Sequence, residues 1–134
     1  MILTFSFFNP NMGYKEEVPY NQRVEESSRM KIKYPDMIPL IIEKVSKSSC
    51  PLLRHRKYLV AHDSTLRELL CTIRKKMTEF GYDMALYIYI NNTAPRLSDT
   101  IGDLHVMYKN EDGFLYLMYD TESTFGHHYL DYPV

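Results

Sequence analysis

The sequence predicts an α+β roll in a single domain. A helix-period apolar stripe with a capping box follows two short strand-like segments rich in branched residues, and further strand-like segments come after it. The length and mixture agree: 134 residues, 45% hydrophobic and 25% charged, suit one soluble domain with a core of its own.

Taken in order, the start "MILTFSFFNPN" is apolar but short, without the positive region or cleavage site of a secretory signal. Residues 1–11 are expected to be a flexible extension, or an upstream start before an initiator at Met12. Light membrane contact by Phe5, Phe7 and Phe8 is the other reading. Pro19 then opens a polar run, "YNQRVEESSRMKIKY", free of helix breakers until Pro35. It predicts a helix with a weak apolar face, lying on the surface. "MIPLIIEKV" predicts a strand, and Pro39 favours a sheet edge or an exposed N–H position. "SKSSCPLLRHR" reads as a loop and "KYLVAHD" as a second strand, making a hairpin with a long connection.

The next segment is the plainest helix. Leu66, Leu69, Leu70, Ile73 and Met77 form one stripe, and Thr65 with Glu68 makes a capping box that satisfies free N–H groups at the helix start. Gly81 marks its exit. "MALYIYINN" alternates Leu86, Ile88 and Ile90 against Tyr87 and Tyr89, as in a half-buried strand; the tyrosines either cover a sheet face or form a docking surface. "LSDTIGDLHVMY" places Leu97, Ile101, Leu104 and Tyr108 on one face of a short helix weakened by Gly102. "EDG" turns the chain into a last strand, "FLYLMY". A hairpin, a capped helix and more strands on one sheet describe a ubiquitin-like β-grasp with additional N-terminal helices, which by itself gives no function.

Charge and composition exclude some functions. A net charge of −1 gives no general electrostatic case for nucleic acid. No stretch approaches the ~20 apolar residues of a membrane span. Cys50 and Cys71 stand in no metal or redox spacing, and Cys71 falls on an apolar helical face, which suggests packing. His62 with Asp63, and His127 with His128, lack the further ligands that a metal site needs. No nucleophile has a recognisable base beside it, so catalysis by the chain itself is not expected. Neither a metal nor a cofactor is implied.

Short fragments then become informative together. "MGYKEEVPY", "KYPDMIPLIIEK", "KYLV", "IRKKM", "IYINNT", "NEDGFLY" and "STFG" resemble, in order and spacing, the autophagy ubiquitin-like modifiers of the GABA-receptor-associated-protein and microtubule-associated light-chain families. The resemblance covers about Met12 to Gly126 and is closer to the GABA-receptor-associated branch at "YKEE". It implies a precursor. A cysteine protease would cut after Gly126, which follows Phe125, and release residues 127–134, "HHYLDYPV". Activating and conjugating enzymes would then pass the glycine carboxylate, as a thioester, to the amine of phosphatidylethanolamine. A residue with no Cβ suits threading through narrow enzyme channels and leaves the acyl carbon unhindered. Two acyl chains, at about 0.8 kcal/mol per buried CH₂, would move a soluble cytoplasmic domain, expected to be a monomer, to autophagosomal or vesicle membranes.

The resemblance also implies a docking surface for aromatic-x-x-aliphatic motifs of cargo receptors, which add a strand at the exposed edge of the second strand. A first pocket would comprise Glu26, Met30, Pro39, Lys57, Leu59 and Phe114. A second would use Tyr58, Val60 and Leu69, but Ala61, Ser64 and Thr72 stand where the family has proline and leucines, so a weak hold on the aliphatic anchor is expected. His55, Arg56 and Arg74, with Arg54 and Lys57 nearby, would meet the peptide's acidic flank. Titration of His55 near pH 6.5 would strengthen that contact in acid, unless His55 is only a solvated loop residue. The rival reading is a ubiquitin-like scaffold that binds peptides and is never conjugated; Gly126 discriminates the two.

Overall fold

The computed structural model describes residues 2–5 and 12–121 of the chain. In order these form β1 (Ile2–Phe5), α1 (Tyr14–Glu17), α2 (Tyr20–Lys33), β2 (Met37–Lys44), β3 (Lys57–Ala61), α3 (Leu66–Glu79), β4 (Tyr87–Tyr89), α4 (Ile101–Tyr108) and β5 (Leu115–Asp120). The five strands make one sheet in the order β1-β3-β2-β5-β4. β2 pairs antiparallel with β3 and parallel with β5, and α3 connects β3 to β4, which lie on opposite sides of that central pair.

Local chemistry explains the elements that the pattern predicts. Thr65 and Glu68 form the expected capping box, and Leu66, Leu69, Ile73 and Met77 are buried along α3. Gly81 leaves the helix at φ +79°, a conformation glycine adopts without Cβ strain. Cys71 lies off the stripe and is exposed, whereas Cys50 is the buried cysteine; the expected packing role of Cys71 is corrected by one step around the helix. On β4, Ile88 and Tyr89 are both buried and only Tyr87 is exposed, so Tyr89 belongs to the sheet's cover. Asn91 and Asn92 then turn the chain through positive φ. Gly102 donates its N–H to the His62 carbonyl at 2.8 Å, and a Cβ there would lie 2.9 Å from that oxygen. The residue that weakens α4 is the one that allows it to touch the β3–α3 turn.

The sheet has a core on each face. Alternation sends Ile38, Leu40, Ile42, Tyr58, Val60, Leu115 and Leu117 into the larger core with α3 and α4. It sends Ile41, Leu59 and Phe114 to the other face, against Tyr14 and Met30. β2 is therefore buried on both sides and central, which corrects the expectation of an edge or exposed position for Pro39. Ile42 donates to the Arg56 carbonyl at 2.7 Å, so even-numbered residues of β2 bond toward β3. The Pro39 nitrogen faces the β5 side, where pairing begins only at Leu40, and no ladder bond is lost.

α2 packs through a face that hydrophobicity does not mark. Its buried residues are Arg23, Ser27 and Met30. The Arg23 Nε donates to Asp112 at 2.8 Å, and Ser27 donates its hydroxyl to the Asp112 carbonyl. The Asp112 carboxylate also accepts the Phe114 N–H at 3.0 Å and the Tyr116 hydroxyl. Gly113 passes beneath Ser27 at φ +92°; a Cβ there would meet the serine oxygen at 2.5 Å.

One expectation is overturned at the N-terminus. Residues 2–5 of the supposed flexible extension form β1, paired antiparallel from Ile2–Val60 to Phe5–Lys57. The reason is the open edge of β3: unpaired N–H and C=O groups beside a short apolar segment are a template for pairing. Phe7 and Phe8 lie outside the described residues, as do the other residues from 6 to 11.

Burial raises the Asp112 carboxyl, but the bonds from Tyr116, the Phe114 amide and Arg23 outweigh it and hold the group below the usual aspartate value. Its stabilisation is thus present above about pH 3.9, the unfolded value, and is lost as pH falls through the lower folded value. Asp112→Asn is expected to cost about 3–5 kcal/mol, because it leaves Arg23 buried without its charge partner, and to flatten the acid limb of the stability profile. Urea unfolding of both proteins between pH 2.5 and 7 checks this.

Candidate functional site

The predicted docking surface centres on β3, whose alternation divides its residues between the two cores. Lys57 and Leu59 point to the α2 side, Tyr58 and Val60 to the α3 side. A strand laid along this edge would meet different chemistry above and below.

On the α2 side the predicted residues come together. Met30, Leu59 and Phe114 share one cluster, and Pro39 stands opposite Leu59 in the β2–β3 register. Glu26 bonds Lys57 at 2.6 Å and accepts the Tyr14 hydroxyl. Burial raises the Glu26 carboxyl, yet bonds from Lys57 and Tyr14 bring it below the ordinary glutamate value, so it stays ionised at neutral pH. Leu59 and Phe114 are almost wholly buried, 1% and 0% exposed, which leaves the Glu26–Lys57 pair as the accessible part of this group.

Tyr14 is a residue the sequence reading missed. It packs edge-on to Phe114 at 5.5 Å, its N–H donates to Glu43 at 2.8 Å, and the Lys57 ammonium lies 5.4 Å from its ring centre. Burial, then the bond to Glu26, pushes its phenol well above the usual tyrosine value, so it remains a hydrogen-bond donor. Burial likewise lifts the Glu43 carboxyl. A lone tyrosine among polar residues carries no periodic signal, and its burial follows from tertiary contact alone.

On the α3 side Tyr58, Val60 and Leu69 lie in the main core, with Tyr58 donating its hydroxyl to the His55 carbonyl at 2.8 Å. Ala61 ends β3 opposite Met37. The Ser64 carbonyl accepts the Ile101 N–H at 2.8 Å, and the Thr72 hydroxyl is turned onto the Glu68 carbonyl at 3.1 Å. Ala61, Ser64 and Thr72 are all half-buried and contribute little apolar surface.

The predicted basic flank divides. Arg56 is 5% exposed; its guanidinium bonds the Met12 carbonyl at 2.8 Å and the Glu17 carboxylate, with Glu43 at 3.9 Å. It ties α1 to the sheet, and its role as an acidic-flank contact is corrected on that ground. His55 has a buried Nδ1 with no hydrogen-bond partner. The Arg54 guanidinium lies 6.0 Å from the Phe80 ring and that of Arg74 5.8 Å from Tyr82. Arg54 is exposed and remains on the surface for an acidic segment to meet.

A polar cavity of about 520 Å³ opens at the far end of β2, lined by Glu16, Glu43, Lys44, His55, Arg56 and Tyr119 among others, away from both predicted pockets. His62 and Asp63 are exposed at the end of β3, and among the described residues no three metal-ligating side chains converge. Phe125, Gly126, His127 and His128 lie outside the described residues. No described helix is long and apolar enough to cross a membrane.

The edge itself holds the main surprise. Ile42–Arg56 bonding fixes the alternation, so the N–H and C=O groups of Lys57 and Leu59 face away from β2. These are the groups an added strand would use, and β1 lies along them, with Leu3 opposite Leu59 and Phe5 opposite Lys57. The expected open edge is already paired.

Known proteins resemble the chain closely. A family model described as the autophagy protein Atg8, ubiquitin like, matches residues 22–126. Autophagy-related protein 8 of Dictyostelium discoideum is 41% identical over 114 residues, covering 85% of this chain and 93% of the relative. Autophagy-related protein 8a of Arabidopsis thaliana is 38% identical, with the same coverage. Among solved structures, Plasmodium falciparum Atg8 in complex with a Plasmodium falciparum Atg3 peptide superposes with a TM-score of 0.77 at 31% identity, over 84% of this chain and 98% of that one. Trypanosoma brucei Atg8 gives 0.75 at 32% identity, over 81% and 93%.

Arg56→Gln is expected to cost about 1.5–3 kcal/mol in urea unfolding, through the lost charged hydrogen bonds, and to leave the affinity of the folded protein for an acidic-flanked peptide unchanged. Parallel unfolding and calorimetry check both halves.

Proposed function

Because the chain belongs to the Atg8 family of ubiquitin-like autophagy proteins, we propose that it acts as a conjugated modifier whose working end is Gly126. The observation that carries this reading is the extent of the family match, which runs to residue 126 and so ends on the glycine after Phe125. Hydrolysis of the Gly126–His127 bond by a cysteine protease frees a carboxylate. Activation by adenylation and transfer through a thioester then deliver the glycyl group to the amine of phosphatidylethanolamine, forming an amide and releasing the thiol. All of this chemistry belongs to other enzymes; the chain supplies the acyl group. The complex of the Plasmodium relative with an Atg3 peptide supports a conjugating-enzyme partner of the same kind.

Conjugation places the folded domain on autophagosomal membranes, where the β3 edge recruits aromatic-x-x-aliphatic motifs of cargo receptors. Glu26, Met30, Pro39, Lys57, Leu59 and Phe114 take the aromatic residue; Tyr58, Val60 and Leu69, with Ala61, Ser64 and Thr72, take the aliphatic one. The clustering of Met30, Leu59 and Phe114 beside the Glu26–Lys57 pair supports the first assignment.

The deciding measurement is the intact mass of the N-terminally tagged protein after incubation in a eukaryotic cytosolic extract. Loss of "HHYLDYPV" alone is expected, and Gly126→Ala should resist the cut. An unchanged mass, beside a relative that is trimmed in the same extract, would replace the modifier with an unconjugated peptide-binding scaffold.

The half-polar second pocket makes a separate prediction. Replacing the aliphatic anchor of a bound peptide with alanine is expected to cost under about 1.5 kcal/mol by calorimetry, below the usual value for burying a leucine. A larger loss, with ordinary micromolar binding of many family peptides, would show that the pocket holds its anchor normally.

A further inference from the structure

The β3 edge offers one set of outward backbone groups in its paired segment, those of Lys57 and Leu59, and β1 lies along them. We propose that Ile2–Phe5 is a built-in competitor for the docking edge, so that a strand-forming peptide binds only after the chain's own N-terminal strand has left. The inference rests on the peptide-docking reading above.

Three observations support it. First, occupancy of β3 is exclusive along this segment: β1 faces every residue from Lys57 to Val60 and takes the outward groups that a second strand on β3 would need. Second, the connection is short and held at both ends. Phe5 is opposite Lys57, and the Met12 carbonyl accepts from Arg56, the next residue along. Only residues 6–11 separate these two anchors, which keeps β1 at a millimolar-scale effective concentration beside the edge. Third, the segment is only four residues long, so it can be displaced rather than locking the edge permanently.

The arithmetic is that of a binding-competent state populated for a fraction of the time: apparent affinity falls by that fraction. An edge open about one-tenth of the time would weaken every docking peptide about tenfold, without any change in the pockets.

The test keeps the full chain and breaks the ladder from the β1 side. Leu3 and Phe5 stand opposite the outward-facing residues, so the double variant Leu3→Pro/Phe5→Pro removes two N–H groups from the pairing. The probe is a synthetic aromatic-x-x-aliphatic peptide with an acidic flank, measured by calorimetry. Amide hydrogen exchange at Lys57 and Leu59 is followed in the same samples. The expected result is about tenfold tighter binding by the variant, with exchange at those two amides slow in the unaltered chain and fast in the variant. Equal affinity for the two proteins would overturn the competitor and leave peptide docking standing. Equally fast exchange in both would overturn it as well, by showing the edge uncovered from the start. No binding to either, with the two amides exposed in the variant, would overturn the competitor and the docking reading together.

Discussion

The buried pair between Arg23 and Asp112 governs the architecture on the α2 side of the sheet. A carboxylate with no exposed side-chain surface is stable only if its oxygens are satisfied, and here a guanidinium, a backbone amide and a phenol do so. These partners come from α2 and from the start of β5, far apart in sequence. Meeting their demands fixes the helix against the sheet, with Gly113 leaving just enough room beneath Ser27. The cluster of Tyr14, Met30, Ile41, Leu59 and Phe114 then has a lid, and the Glu26–Lys57 pair has its position at the rim. The proposed first docking pocket is thus a by-product of how one acid is kept ionised indoors.

β3 is short, but because it is a strand it serves both proposed pockets. Odd and even residues face opposite cores, so one pairing register determines the lining of both proposed pockets at once. A slip of one residue would exchange Leu59 for Tyr58 and dismantle both. That register is pinned by β2, which is buried on both faces and paired on both edges, making it the least negotiable element of the fold. The proposed docking chemistry at the rim is in this way inherited from packing at the centre.

What the sequence disclosed follows the same physics. α3 was legible because its buried face is apolar, regularly spaced and opened by a side-chain cap. α2 was legible as a helix but not as a packed one, since Arg23 and Ser27 do at its interface what leucines do elsewhere. Arg56 read as a surface contact for a peptide's acidic flank, and nothing local shows that Glu17 and Met12 reach it from the N-terminal side. β1 was illegible because four residues have no period to measure and their fate depends on a free edge that only the assembled sheet possesses. The proposed pocket residues on β3 were named through family resemblance; composition alone did not single them out. Gly126 owes its standing to the same source.

The other border of the sheet is managed differently. β4 is only three residues long, and Asn91 and Asn92 turn the backbone away directly after Ile90. Too little straight ladder remains there for a neighbouring molecule to extend. With β1 along one border and so brief a strand at the other, the sheet offers little to stack against when many copies crowd together. For a protein proposed to work at a membrane surface, that matters most at high density: copies held side by side in two dimensions would remain individual adaptors and resist coalescing into a continuous sheet.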